Sequence, residues 1–231
     1  MRPVYATAVA LATALLVAPL HGAAGQDKDR AVAGGGISAP GWKGRIDPNS
    51  AKQGRTINDS KFVKQGNDLH LTIGPAAVYW NPANTAKGDF TAKASFKEGK
   101  TTSNHPHPYG IFIGGSNLDS DQPTLMYCVA YGDGSFLIRR FSGGTVSDVS
   151  KRAPNPAVHK TAADGSTTND IAWTVKGNRA ECAINGTTVA GFDKSELVGP
   201  GKLESTDGVV GLRVSHNVDV VVSDFAVTPQ K

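Results

Sequence analysis

From Trp42 onward, Gly, Asn, Asp and Pro interrupt the chain roughly every eight to twelve positions, a spacing that leaves room for strands but not for helices. Residues 68–73 and 90–96 alternate apolar and polar, the period of a half-buried strand. Residues 109–113 form an apolar run that ends at Gly114-Gly115, and 125–131 and 135–141 flank Gly132-Asp133-Gly134, a hairpin signal. Farther on, 171–175, 179–184 and 187–192 are joined by Gly177-Asn178 and Asn185-Gly186. Asn-Gly suits a type I′ turn because both residues tolerate positive φ. Residues 209–214 and 218–227 close the pattern. One helical turn is expected at 193–197, with Asp193 as its N-cap. No other window carries an apolar stripe at helical spacing. About ten strands with almost no helix predict an all-β chain, a two-sheet antiparallel sandwich or jelly roll. No repeat of fixed period is present, which argues against a propeller or solenoid.

Residues 1–25 read as a secretory signal peptide: Arg2 supplies the positive start, 6–20 the apolar run, and Gly22-Ala23-Ala24-Gly25 a cleavage site before Gln26. The run falls short of the roughly 20 residues a membrane span needs, and no second long apolar run follows, so no membrane span is expected. The mature protein is expected to be secreted or periplasmic. Residues 26–40, with Gly34-Gly35-Gly36, read as a flexible leader, and 41–231 as one domain. Hydrophobic residues make up 39% of the chain, enough to bury a core. The net charge is +4, from 24 Lys and Arg against 20 Asp and Glu, with no basic cluster, so nucleic acid is not an expected partner. Export allows Cys128 and Cys182 to pair, and their spacing rules out CxxC chemistry. In 179–184 the polar Arg179 and Glu181 share one face, which leaves Ala180, Cys182 and Ile184 for the buried one. A disulfide and two buried thiols both fit this pattern.

His105-Pro106-His107-Pro108-Tyr109 places two imidazoles two apart on an extended, proline-framed backbone. Such a pair could meet a sugar or contribute to a metal site, or it could simply be a rigid loop. No third ligand is apparent, so no metal and no cofactor are expected. Asn117-Leu118-Asp119-Ser120-Asp121 has oxygen ligands at alternate positions but lacks the EF-hand glycine and the twelfth-position acid, so a solvated turn is the expectation. Tyr127 and Tyr131 share the strand face opposite Cys128, and Arg139 on the next strand can join them. Aromatic rings with a forked donor suit a sugar ring. Arg213, amid Val and Leu, and Arg140 are further candidates for an open sheet face or a plain ion pair. The expected ligand-binding set is therefore His105, His107, Tyr109, Tyr127, Tyr131 and Arg139, with carbohydrate as the expected partner. No catalytic residue can be assigned, and no GxSxG, P-loop or Rossmann fingerprint occurs.

The run from Trp173 through Arg179, the Ile184-Asn185-Gly186-Thr187 hairpin and the ending Asp207-Gly208-Val209-Val210-Gly211-Leu212-Arg213-Val214 resemble concanavalin A-like, laminin G-like sandwiches. Within that group the chain looks most like the bacterial 3-keto-disaccharide hydrolase domains. Gly41-Trp42-Lys43-Gly44 and Tyr109-Gly110-Ile111-Phe112-Ile113 fit that pattern. The resemblance implies a concanavalin A-like jelly roll over about 41–228. It also marks a departure. Where those domains carry Tyr-Glu-x-Gln-x-x-Asp, this chain reads Tyr127-Cys128-Val129-Ala130-Tyr131-Gly132-Asp133, without the acid. The Glu-Trp-Asn of that family is represented only by Asn169-Asp170 and Trp173. The leading expectation is a non-catalytic carbohydrate-binding or accessory domain. A glycoside hydrolase with a different acid and an envelope domain that binds protein are the alternatives.

Overall fold

The computed structural model describes Met1, residues 27–100 and residues 105–230, so the expected signal peptide lies outside the described residues apart from Met1. Fifteen strands among these residues form two sheets. The first has eight strands in the order β1 (Gly36–Ile37), β3 (Lys61–Gln65), β4 (Asp68–Thr72), β15 (Asp219–Pro229), β6 (Phe90–Glu98), β11 (Thr167–Lys176), β12 (Arg179–Ile184) and β13 (Thr187–Asp193). The second has seven, in the order β10 (Thr145–Pro154), β9 (Ser135–Ser142), β8 (Thr124–Ala130), β7 (Tyr109–Ser116), β14 (Gly208–Val214), β5 (Ala77–Ala86) and β2 (Lys43–Ile46). Every pairing is antiparallel except β1 with β3.

Strand alternation decides what meets between the sheets. Phe62, Phe96, Trp173 and Val220 from the first sheet face Tyr79, Ile111, Ile138 and Leu212 from the second, all fully buried. Trp173 Nε1 donates to Ile111 O at 3.2 Å, so the largest core side chain leaves no polar atom unpaired. Cys128 on β8 and Cys182 on β12 form a disulfide across this core. Asn185 and Gly186 have φ of 49° and 78°, as the type I′ turn requires, and join β12 to β13. A short helix, Lys194–Leu197, follows Asp193, whose backbone N–H donates to Glu196 at 2.7 Å.

The structure differs from the sequence reading in two respects. Residues 27–40, expected as a flexible leader, are hydrogen-bonded to the sandwich. Arg30 donates from its backbone N–H to Asn217 Oδ1, from Nε to Ile73 O and from Nη2 to Val218 O, at 2.8–2.9 Å. Gly35 sits so close to Asn58 that a Cβ would fall 1.9 Å from its carbonyl oxygen, so this glycine serves close approach, not mobility. The second difference is in the strands: the sequence pattern missed β1, β2, β3, β5 and β10. β10 mixes polar residues with Val146, Val149 and Ala153, the last two packed against the core, and it pairs only with β9, as an edge strand.

Candidate functional site

The seven-stranded sheet is apolar on both faces. Residues that alternate with the core set, among them Val78, Trp80, Phe112, Leu125, Tyr127, Val129, Leu137 and Phe141, form a second cluster on its outer face. Cross-strand register puts Lys43, Trp80, Gly211, Phe112, Tyr127, Arg139 and Asp148 in one row from β2 to β10. The neighbouring row reads Arg45, Val78, Arg213, Gly110, Val129, Leu137. Gly211 lets the Phe112 ring lie over β14, because a Cβ there would meet the ring at 2.6 Å. The loop between β7 and β8 folds back and sets Leu118 against the same cluster.

Charged pairs stand over this aromatic floor. Arg213 forks onto Asp47, Nη1 to Oδ1 at 2.5 Å and Nη2 to Oδ2 at 2.6 Å, with its guanidinium carbon 5.4 Å from the Tyr127 ring and 5.6 Å from the Phe141 ring. Burial opposes the Arg213 charge, but the Asp47 carboxylate outweighs it, and the arginine is held more firmly protonated than usual. Arg139 donates to Asp148 at 2.5 Å, and that bond raises its pKa. Arg152 lies 3.8 Å over the Tyr131 ring and donates to Asp133 at 2.6 Å. Burial would raise the Asp133 carboxyl, but two bonds from Ser135 and the Arg152 charge bring it below its ordinary value. On the opposite border Lys43 pairs with Asp119 and Arg45 with Asp121, at 2.9 and 2.6 Å. The two acids of the 117–121 turn thus each pair with a cation of β2. One face therefore presents guanidinium–carboxylate pairs above buried aromatic rings, an arrangement that can donate to and accept from hydroxyl groups.

Neither a family model nor a curated protein sequence matches the chain. Among solved structures it is similar to the carbohydrate-binding module CBM66 from Bacillus subtilis, with a TM-score of 0.56 and 10% identity over 84% of this chain and 99% of that one. It is equally similar, at TM-score 0.56 and 14% identity, to a Bacillus subtilis protein of unknown function with a galectin-like fold, covering 81% of this chain and 89% of the other. The fold is a concanavalin A-like jelly roll.

The jelly roll separates the sequence-predicted residues into three places. Tyr127, Tyr131 and Arg139 lie on the outer face, opposite Cys128 as strand parity required, although Tyr127 and Tyr131 are 4% and 8% exposed and only Arg139 is substantially open. Burial raises the pKa of both tyrosines. Tyr109 points the other way. It is fully buried between the sheets, stacked 5.4 Å from Phe96, and its hydroxyl accepts from Asn169 Nδ2 at 3.1 Å. It shares parity with Ile111 and Ile113, so it is a core residue and cannot meet a ligand. His105 and His107 lie beyond the last ladder pair of β7 and β14, Tyr109 with Val214, at the end of the sandwich. There they meet His216, which supplies a third imidazole that the linear sequence did not show. Trp80, Phe112 and Asp47 were also missed; for Trp80 and Phe112 the readable signal was their alternation with Tyr79 and Ile111.

Glu98 is a perturbed carboxyl away from this face. It ends β6 on the inward face, 4% exposed, and burial pushes its pKa from 4.5 up to about 7. The neighbouring ionisable side chain is Tyr109, which stays neutral through this range. Because the folded pKa lies above the unfolded one, Glu98 favours the fold fully below about pH 4.5, and that contribution is lost as pH rises through about 7. His107 has the opposite sign: burial and the neighbouring histidines lower its pKa to about 4, so it disfavours the fold as pH falls below 6.5. Comparing Glu98→Gln with wild type cancels the histidine, which both share. The variant should gain on the order of 3 kcal/mol relative to wild type between pH 4 and pH 8, read by urea unfolding at each pH. Parallel stability–pH curves for the two proteins would show that Glu98 titrates as in the unfolded chain.

Proposed function

We propose that the protein is an exported, non-catalytic carbohydrate-binding domain that takes its ligand on the outer face of the seven-stranded sheet. The observation that carries this reading is the pair of solvent-open guanidinium–carboxylate contacts, Arg139–Asp148 and Arg152–Asp133, beside Tyr127 and over Tyr131. Such pairs match the donor and acceptor pattern of vicinal hydroxyls, and Arg139 is open to solvent. The CBM66 likeness supports the reading as an analogy of fold. Export is supported by the apolar leader sequence and by the Cys128–Cys182 disulfide. Among the described residues no helix is long and apolar enough to cross a membrane.

The hydrolase alternative needs two carboxyls flanking a bond, one of them kept protonated. The acids on the outer face are each paired with a cation, and the position of the 3-keto-disaccharide hydrolase acid is Cys128, held in the disulfide with its side chain in the core. Glu98, the carboxyl with a raised pKa, sits on the inward face of the other sheet. This favours binding over hydrolysis. A glycan array probed with the secreted protein, followed by calorimetric titration of the best ligand, tests the proposal. Arg139→Ala should weaken binding about 5- to 100-fold, roughly 1–3 kcal/mol, while its melting temperature stays within about 2 °C of wild type. Tyr131→Ala, which removes the ring beneath Arg152, should lower stability as well as affinity. An array without a hit would point to a protein partner, and sugar release from 3-keto glycosides would point to the hydrolase.

A further inference from the structure

We propose that His105, His107 and His216 form a binding site for one borderline divalent transition-metal ion, with zinc as the best fit. One ring nitrogen from each histidine lies within 4.8 Å of the other two. The His105 and His107 rings are 4.4 Å apart, and those of His107 and His216 4.0 Å. The three imidazoles converge from two distant parts of the chain. The His107 side chain is 6% exposed, and its Nε2 has no hydrogen-bond partner. A buried ring nitrogen without a hydrogen bond costs free energy that a coordinated cation would recover.

The surroundings are built to hold these rings in place. Pro106 and Pro108 fix the backbone on either side of His107. Ser215 donates its backbone N–H to Pro108 O at 2.9 Å, which ties the two histidine-bearing segments together. Asn217, at φ 60°, shapes the turn after His216, and its side chain bonds to both Arg30 N and Lys28 O. That contact draws residues 27–30 across the site and delivers two carboxylates. Asp27 Oδ2 lies 3.8 Å from His107 Nε2, and Asp29 Oδ1 lies 3.1 Å from His216 Nδ1. A carboxylate on the second ring nitrogen of a ligating histidine orients it, which Asp29 can do for His216, whereas Asp27 stands at the His107 nitrogen offered to the ion and is placed to be a fourth ligand.

Ligand chemistry selects the metal. Three imidazole nitrogens with a carboxylate at hand suit zinc, copper or nickel, whereas calcium and magnesium require oxygen ligands. A tetrahedral zinc with bonds of about 2.0–2.1 Å needs the nitrogens about 3.4 Å apart, so the rings must close by roughly an ångström. His105 is exposed and can make that movement, and its exposure also provides the entry path. The site is separate from the outer face, so it stands or falls independently of carbohydrate binding.

The test is equilibrium dialysis of the untagged, EDTA-treated secreted protein against zinc chloride, with the bound metal measured by mass spectrometry. One zinc per chain should bind at micromolar concentration or below, and the melting temperature should rise by several degrees. His105→Ala, at an exposed position where the fold is safe, and His216→Ala should each weaken binding at least 30-fold. His159→Ala, an exposed histidine outside the cluster, should leave it unchanged. Cobalt in place of zinc should give the visible absorption of a tetrahedral site and lose it in His105→Ala. Absence of stoichiometric zinc, or zinc that binds equally to His105→Ala and His216→Ala, would overturn the proposal. Preference for calcium over zinc would overturn it equally.

Discussion

Loss of the Cys128–Cys182 bridge should destabilise the protein by about 4 kcal/mol, the loop-closure entropy of a crosslink spanning 54 residues. The bridge joins β8 to β12, one strand from each sheet, so it confines the unfolded chain in the dimension in which the sandwich forms. Both sulfurs are fully buried among apolar side chains, where reduced thiols are also tolerated, so the native packing should persist without the bond. Stability is therefore lost mainly through the unfolded state. For a domain of this size that corresponds to a fall in melting temperature of roughly 8–16 °C. Protein refolded under reducing conditions measures the bond alone, and a Cys128→Ala/Cys182→Ala variant should show no further response to reductant. A fall of less than about 2 °C on reduction would mean that the unfolded chain is already compact around this pair.

The inward placement of Cys182 was readable because alternation is strong on β12: Arg179 and Glu181 point to one face and leave Cys182 to the other. The same parity put Tyr127, Tyr131 and Arg139 opposite Cys128, and the outer face follows from it. Applied to β7, parity would also have sent Tyr109 inward with Ile111 and Ile113, but its neighbourhood of His and Pro drew it into the ligand set instead. What could not be read were long-range encounters between turns. His216 follows β14 and is more than a hundred residues from His107, and nothing local marks it as a partner. Residues 26–40 looked mobile because glycine is ambiguous in sequence. The same Gly34-Gly35-Gly36 that suggests a linker also permits the contact with Asn58. β10 was invisible because its few apolar residues, Val146, Val149 and Ala153, are scattered among polar ones and give no clean alternation.

Asp47→Ala should be the most destabilising single substitution on the outer face, by about 3–5 kcal/mol, and should cost more than Arg213→Met. The two partners of the pair are unequally placed. The Arg213 side chain is 10% exposed and that of Asp47 29%. Removing the carboxylate strands a guanidinium among Tyr127, Phe141 and the sheet backbone, where water cannot replace its partner and the charge cannot be shed, since arginine does not deprotonate. Removing the guanidinium leaves Asp47 near the surface, where water can solvate it, and methionine fills part of the space above the rings. Arg213→Met should therefore cost about 1–2 kcal/mol. Asp47 is also the N-cap of the short helix Pro48–Lys52, but its side chain makes no capping bond there, so loss of the carboxylate reports on the ion pair rather than on the helix. Combining the two substitutions should recover stability relative to Asp47→Ala alone, because the stranded charge is gone. Urea unfolding of the two single variants and the double variant measures all three terms. If Arg213→Met proves the costlier change, or the double variant is no better than Asp47→Ala, then the guanidinium is retained for its packing over Tyr127 and Phe141 rather than for its charge, and Arg213 would have little to offer a bound hydroxyl.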